Sequence, residues 1–309
     1  MKWKDLRKSR NVEDRRRQRS NMSSLGRGNN NRSSGGSGLL WMLLMSGGKS
    51  KWLIIGALAL MFIFGGGSNL LDLGFNNDTS APIEQTTTSN QASQATDDEY
   101  NFLSAVLGST EDFWTEEFAA YDLTYRYPTL VVYSDSVQTQ GCGFGSSQVG
   151  PFYCPGDEKL YIDLTFYREL TTQYDAPGDF AMAYVVAHEV GHHVQNVLGT
   201  MEDYHNTRGR LSETQANELN VRLELQADYY AGAWARYAQE EGLLEVGDID
   251  EALQAAHAVG DDTLQREATG HVMPDSFTHG TSEQRQEWFK RGYENGTLEA
   301  ADTFNVEID

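Results

Sequence analysis

The stretch DFAMAYVVAHEVGHHVQNV, Asp179–Val197, carries apolar residues at helical spacing, among them Phe180, Tyr184, Ala187 and Val194, with Leu198 just beyond. The spacing predicts a helix. Inside it, His188-Glu189-Val190-Gly191-His192 sets two imidazoles four residues apart, one turn apart on one face. That separation suits two ring nitrogens binding one tetrahedral ion at about 2.0–2.1 Å each. Glu189 is rotated by one residue from His188 and can reach a water on such an ion without being a ligand. The alternative is an exposed helix face that happens to carry two histidines.

A catalytic zinc usually has three protein ligands and one open position. One extension of the motif places Gly three and His six residues after the second histidine. Those positions hold Gln195 and Leu198, which excludes it. The other source is a carboxylate on a following helix. Glu224-Leu225-Gln226-Ala227-Asp228 lies some thirty residues downstream, in the long run of helix formers Leu211 to Gln239. Glu224 can supply the third ligand. Asp228, one turn later, can accept the second ring N–H of a ligating histidine. Ala227 leaves room for the two helices to approach. The alternative is that Glu224 and Asp228 are ordinary solvated acids on an acidic helix.

Around this pair, Asn101 to Ala119, Ile249 to Val259 and Thr281 to Tyr293 read as further helices. Thr129 to Tyr133 and Leu160 to Leu164 read as strands, and Gly141 to Gly156 as a Gly-rich loop or irregular strand. Helices with a few strands make the class α+β.

The 309-residue chain has a net charge of −21, which argues against nucleic acid as a partner. The charge is divided unevenly. Residues 1–51 hold 13 of the 24 Lys+Arg and 3 of the 45 Asp+Glu. The acidic remainder could steer basic substrates, or serve solubility alone. We read residues 1–51 as a basic disordered cytoplasmic tail suited to anionic lipid. Residues 52–72 contain the uncharged Leu53–Leu71, about the length a bilayer core needs, and read as a transmembrane helix. Residues 73–98 read as a flexible polar linker, and 99–309 as the globular domain. Positive charge before the span places the N-terminus in the cytoplasm and the domain outside, periplasmic or extracellular. There Cys142 and Cys154 would most simply form a disulfide, worth roughly 3 kcal/mol in the chain-entropy account; the alternative is two buried thiols.

The chain resembles the bacterial, membrane-anchored putative neutral zinc metallopeptidases. The resemblance rests on Asn11-Val12-Glu13-Asp14-Arg15-Arg16, Gly150-Pro151-Phe152-Tyr153-Cys154-Pro155, HEVGHHVQN from His188, ELQAD from Glu224, and His279-Gly280-Thr281-Ser282 with Arg285. It implies a zincin-like domain in which His188, His192 and Glu224 bind one zinc ion and Glu189 is the catalytic base. His279 and Arg285 resemble the His and Arg near the C-terminal end of the catalytic region in membrane metallopeptidases. They are our candidates for donors to the oxyanion. The alternatives are a loop histidine capping the helix from Thr281 and a structural salt bridge. His193 should point away from the metal. In zincins an extended substrate commonly adds to a sheet edge, here expected within Gly143 to Phe152. The expected function is a membrane-anchored endopeptidase acting on peptides or unfolded protein. Two rivals remain: a noncatalytic zinc-stabilised envelope scaffold, and a zinc amidase acting on cell-wall peptides.

Overall fold

The computed structural model describes residues 1–17, 89–146, 150–172, 176 and 178–308. The expected span, residues 52–72, lies outside them, as do residues 73–88 of the expected linker. No helix among the described residues is long and apolar enough to cross a membrane.

In chain order the elements are β1 (Val12–Asp14), α1 (Ser89–Ala120), β2 (Thr129–Tyr133), β3 (Ser136–Gln138), β4 (Phe144–Ser146), β5 (Phe152–Cys154) and β6 (Lys159–Asp163). They continue with α2 (Leu164–Thr172), α3 (Asp179–Val197), α4 (Thr200–Arg208), α5 (Glu213–Glu240), α6 (Asp248–Ala258), α7 (Asp261–Thr269), a 3-10 turn (Pro274–Ser276) and α8 (Ser282–Asn295). The protein is mostly helical with a small sheet, as the α+β expectation has it. Strand order is β1-β2-β6-β5; the first two pairings are parallel and β5 runs antiparallel to β6. A separate hairpin joins β3 to β4.

The β-branched run Thr129–Tyr133 is central because both its faces are covered. Leu130, Val131, Val132 and Tyr133 are all buried. The helix α3 is buried along nearly its whole length. Gly178 gives its first turn no side-chain cap, and Glu251 from α6 instead accepts the Phe180 N–H at 3.0 Å. Ser212 and Thr281 open α5 and α8 with reciprocal capping boxes through Gln215 and Gln284.

Two expectations are corrected. The disordered tail does not extend over residues 1–17, which are built into the domain. Val12, Glu13 and Asp14 pair with Leu130, Val131 and Val132. The buried Glu111 carboxylate accepts from Ser9 Oγ at 2.6 Å, Asn11 Nδ2 at 2.7 Å and Arg7 Nη1 at 3.0 Å. Two of the basic residues that suggested a solvated tail, Arg7 and Arg16, are instead paired with acids of α1, Glu111 and Asp112 for Arg7 and Asp97 for Arg16. Nor is the linker irregular to residue 98, because α1 already begins at Ser89. Glu111→Ala should cost about 2–4 kcal/mol, since three hydrogen bonds to a buried charge are lost together. Urea unfolding of the full chain measures this. A loss under 1 kcal/mol would mean that the N-terminal arm does not dock.

The disulfide is present between Cys142 and Cys154. The expected sheet edge needs adjustment. Phe144–Ser146 belongs to the small hairpin, and the terminal strand of the main sheet is Phe152–Cys154, overlapping the expected range only at Phe152.

Candidate metal centre

Helix α3 carries His188 and His192, and α5 carries Glu224. All three side chains are buried. The helices can lie this close because Gly191 faces Ala227. A Cβ on Gly191 would sit 3.0 Å from the Ala227 carbonyl oxygen and 3.3 Å from its Cβ. Any longer side chain at either position would push Glu224 away from the imidazoles.

The donor atoms converge. His188 Nε2 lies 3.2 Å from Glu224 Oε2, and His192 Nε2 lies 3.6 Å from Glu224 Oε1. One ligand atom from each residue falls within 4.8 Å of the others. Ligands about 2.0–2.1 Å from a tetrahedral zinc stand about 3.3 Å from each other. The spacing therefore fits such an ion, and the two imidazoles and one carboxylate are the donor types it takes.

Each imidazole is held by its other nitrogen. His188 Nδ1 is 2.8 Å from Asp228 Oδ1, and His192 Nδ1 is 2.9 Å from Gln195 Oε1. Gln195 is itself fixed, donating to the Leu223 carbonyl at 2.7 Å and to Gln226 Oε1 at 3.1 Å. Both Nε2 atoms are thereby presented to the common centre.

The electrostatics suit a cation. Burial lowers the His188 pKa, but the Asp228 and Glu224 carboxylates outweigh it and hold it at about 9. Burial raises the Glu224 carboxyl, and the histidines, His192 first, outweigh it and hold it well below the usual carboxylate range. Both shifts mark a site that favours positive charge, and a metal ion taken up there would bind the deprotonated forms of these groups.

Glu189 differs from its neighbours. It is buried, and its Oε2 finds no hydrogen-bond partner among the described residues. Burial pushes its pKa up, against the pull of His192 and His188. Such an unspent carboxylate next to a cation site is suited to take and return a proton.

Arg285 does not fill the role expected of an oxyanion donor. It is buried and grips Asp228 with two nitrogens, Nε to Oδ2 at 2.8 Å and Nη2 to Oδ1 at 2.9 Å. Its Nη2 also donates to the Tyr184 hydroxyl at 3.1 Å, and that hydroxyl donates to Asp228 Oδ1 at 2.5 Å. The salt-bridge alternative is the one observed: Arg285 fixes the carboxylate that fixes His188.

His279 remains available. It does not cap α8, since Thr281 does. Its Nδ1 lies 3.2 Å from Asp261 Oδ1, and no described residue hydrogen-bonds its Nε2. Burial lowers its pKa, but Asp261 and Glu224 act in the opposite sense and the net shift is upward. The Asp261 carboxylate also accepts the Thr278 and His279 N–H groups, each at 2.6 Å, so the loop carrying His279 is pinned. His193 points elsewhere, between the Tyr153 hydroxyl at 3.0 Å and the Arg126 carbonyl at 2.6 Å.

Sequence reasoning missed Tyr184, Gln195 and Asp261. The first two carried a usable signal. Tyr184 stands four residues before His188, and Gln195 three after His192, each on the ligand's own helix face. Asp261 carried none, because it meets His279 through a loop rather than a helical repeat.

The family described as putative neutral zinc metallopeptidase matches residues 1–304. An uncharacterized Escherichia coli (strain K12) protein, YpfJ, is 42% identical over 308 residues, the full length of both chains. An uncharacterized protein of Mycobacterium tuberculosis is 45% identical over 193 residues, covering 59% of this chain and 64% of its own. No solved structure gives a significant match.

Proposed function

Since the chain belongs to the putative neutral zinc metallopeptidases, we propose that it is a zinc-dependent endopeptidase with a zincin-like domain, cleaving peptides or unfolded protein. The observation that carries this is the orphaned Glu189 carboxylate beside the His188, His192 and Glu224 donor set. A zinc ion held only for structure needs no buried base beside it. This favours the enzyme over a zinc-stabilised scaffold.

Bound there, zinc would supply a Lewis acid that brings the pKa of a water to about 7 and polarises the scissile carbonyl. The protein does the rest. Asp228 and Gln195 keep the imidazoles in the tautomers that present Nε2. Glu189 takes the proton of the attacking water and hands it to the leaving amine. His279, oriented by Asp261, donates from Nε2 to the oxyanion.

Attachment to a membrane through the apolar stretch and residence of the domain outside the cytoplasm belong to the same proposal. The Cys142–Cys154 disulfide supports an oxidising compartment.

The full chain should hold about one zinc per molecule and digest an unfolded protein. A chelator should remove both zinc and activity, and added zinc should restore them. A chain that binds zinc and cleaves nothing across broad peptide libraries favours the scaffold. Cleavage confined to cell-wall stem peptides favours the amidase. His279→Ala should lower kcat by roughly 100- to 1,000-fold, as loss of an oxyanion donor does, with KM and zinc content little changed. An unaltered kcat would leave His279 a loop residue.

A further inference from the structure

Three parallel strands end side by side. Arg16 and Arg17 follow β1, Ser134 follows β2, and Asp163 closes β6 and leads straight into α2 through Leu164 and Thr165. Outside these carboxyl ends lies a cavity of about 250 Å³, lined among others by Arg16, Arg17, Ser134, Thr165 and Arg168. The crevice beyond the carboxyl ends of the strands is where open α/β sheets bind ligands. None of the metal-centre residues lines it.

The charges around this cavity do not cancel. Arg16 is engaged within the protein, its Nη2 lying 2.7 Å from Asp14 Oδ2 and 3.0 Å from Asp97 Oδ1. Asp163, which also lines the cavity, is engaged as well: its two oxygens accept the Asp135 N–H at 2.7 Å and the Thr165 N–H at 2.8 Å. It already caps α2, so the helix end is not what the cavity offers a ligand. Arg17 and Arg168 differ. Both are exposed, and the guanidinium of neither forms an ion pair or hydrogen bond among the described residues. Arg168 attracts the Glu99 carboxylate at longer range, but burial outweighs this and pushes the Glu99 pKa up. The Ser134 and Thr165 hydroxyls are likewise without a partner among the described residues.

We propose that this cavity is a binding site for a small phosphate-bearing anion. Arg17 and Arg168 supply two positive charges with no counter-charge in hydrogen-bonding reach, and a guanidinium grips phosphate oxygens through paired N–H groups. Ser134 and Thr165 add hydroxyl donors at the ends of two strands. Four donor groups around one crevice suit the several oxygens of a phosphate better than the two of a carboxylate. Pockets for drug-sized ligands hold about 300–1,000 Å³. A cavity of about 250 Å³ therefore takes inorganic phosphate or a short phosphate ester rather than a nucleotide. The site stands apart from the peptidase reading, since it uses none of the metal-centre residues.

The test is equilibrium dialysis of the full chain against radiolabelled inorganic phosphate, and in parallel against glycerol phosphate as a short ester, at constant ionic strength. The parent should take up at least one of the two probes saturably. The double variant Arg17→Gln/Arg168→Gln should weaken that uptake by roughly tenfold or more, as loss of charge-assisted hydrogen bonds does. Its thermal unfolding and zinc content should match the parent, because neither side chain has a partner in the fold to lose. Phosphate can also meet a bound zinc ion, and the double variant leaves the metal centre intact. Uptake that survives unchanged in the variant therefore belongs elsewhere and overturns the proposal. Failure of both probes to saturate the parent overturns it as well.

Discussion

Glu189→Gln should leave zinc bound and lower hydrolysis of an unfolded protein by roughly 100- to 10,000-fold, the range that a positioned general base contributes. The amide keeps the size of the carboxylate, so the packing of α3 is undisturbed. It cannot accept the proton of the attacking water. Glu189 makes no contribution to the donor set, whose three members come from His188, His192 and Glu224. Metal content and folding should therefore match the parent. Parallel assays of zinc content, thermal unfolding and cleavage rate check this. A variant that loses zinc along with activity would mean that Glu189 ligates; a variant that keeps its activity would place the base elsewhere.

Asp228→Ala should act on stability and on metal binding together. Asp228 is fully buried, and its carboxylate is gripped by Arg285, by the Tyr184 hydroxyl and by His188. Truncation leaves the buried Arg285 guanidinium without a counter-charge. Breaking one side of a buried pair typically costs about 3–5 kcal/mol. The same change frees the His188 ring, and loss of such an orienting partner costs about 10- to 100-fold in metal affinity. The two effects separate in the double variant Asp228→Ala/Arg285→Met. Removing the stranded cation should recover much of the stability but none of the zinc affinity. Recovery of both would mean that Asp228 serves folding alone. A single variant as stable as the parent would contradict the buried-triad geometry.

What could be read from residues alone followed from local period. The bounds of α3, Asp179–Val197, and of β2, Thr129–Tyr133, are those their apolar patterns predict. Glu224 and Asp228 were found because a helix sets them one turn apart, facing the turn-spaced histidines. What could not be read depends on contacts distant in sequence. Val12–Asp14 is three residues long and becomes a strand only by pairing with Leu130–Val132, more than a hundred residues away. Its flanking arginines give the composition of a solvated tail, although Arg7 and Arg16 are bound to acids on α1. Arg285 was singled out for its six-residue distance from His279, which the helix start at Ser282 interrupts; its side chain goes to Asp228 instead. The short polar helices α4 and α7 have few apolar positions to betray a buried face.

Zinc-edge anomalous diffraction from crystals of the full chain tests the metal centre most directly. The account predicts one strong peak per chain, about 2.0–2.2 Å from His188 Nε2, His192 Nε2 and a Glu224 carboxylate oxygen, with Glu189 beyond ligating distance. A peak lying elsewhere, or a zinc-replete chain in which Glu224 has turned away from both imidazoles, would contradict it.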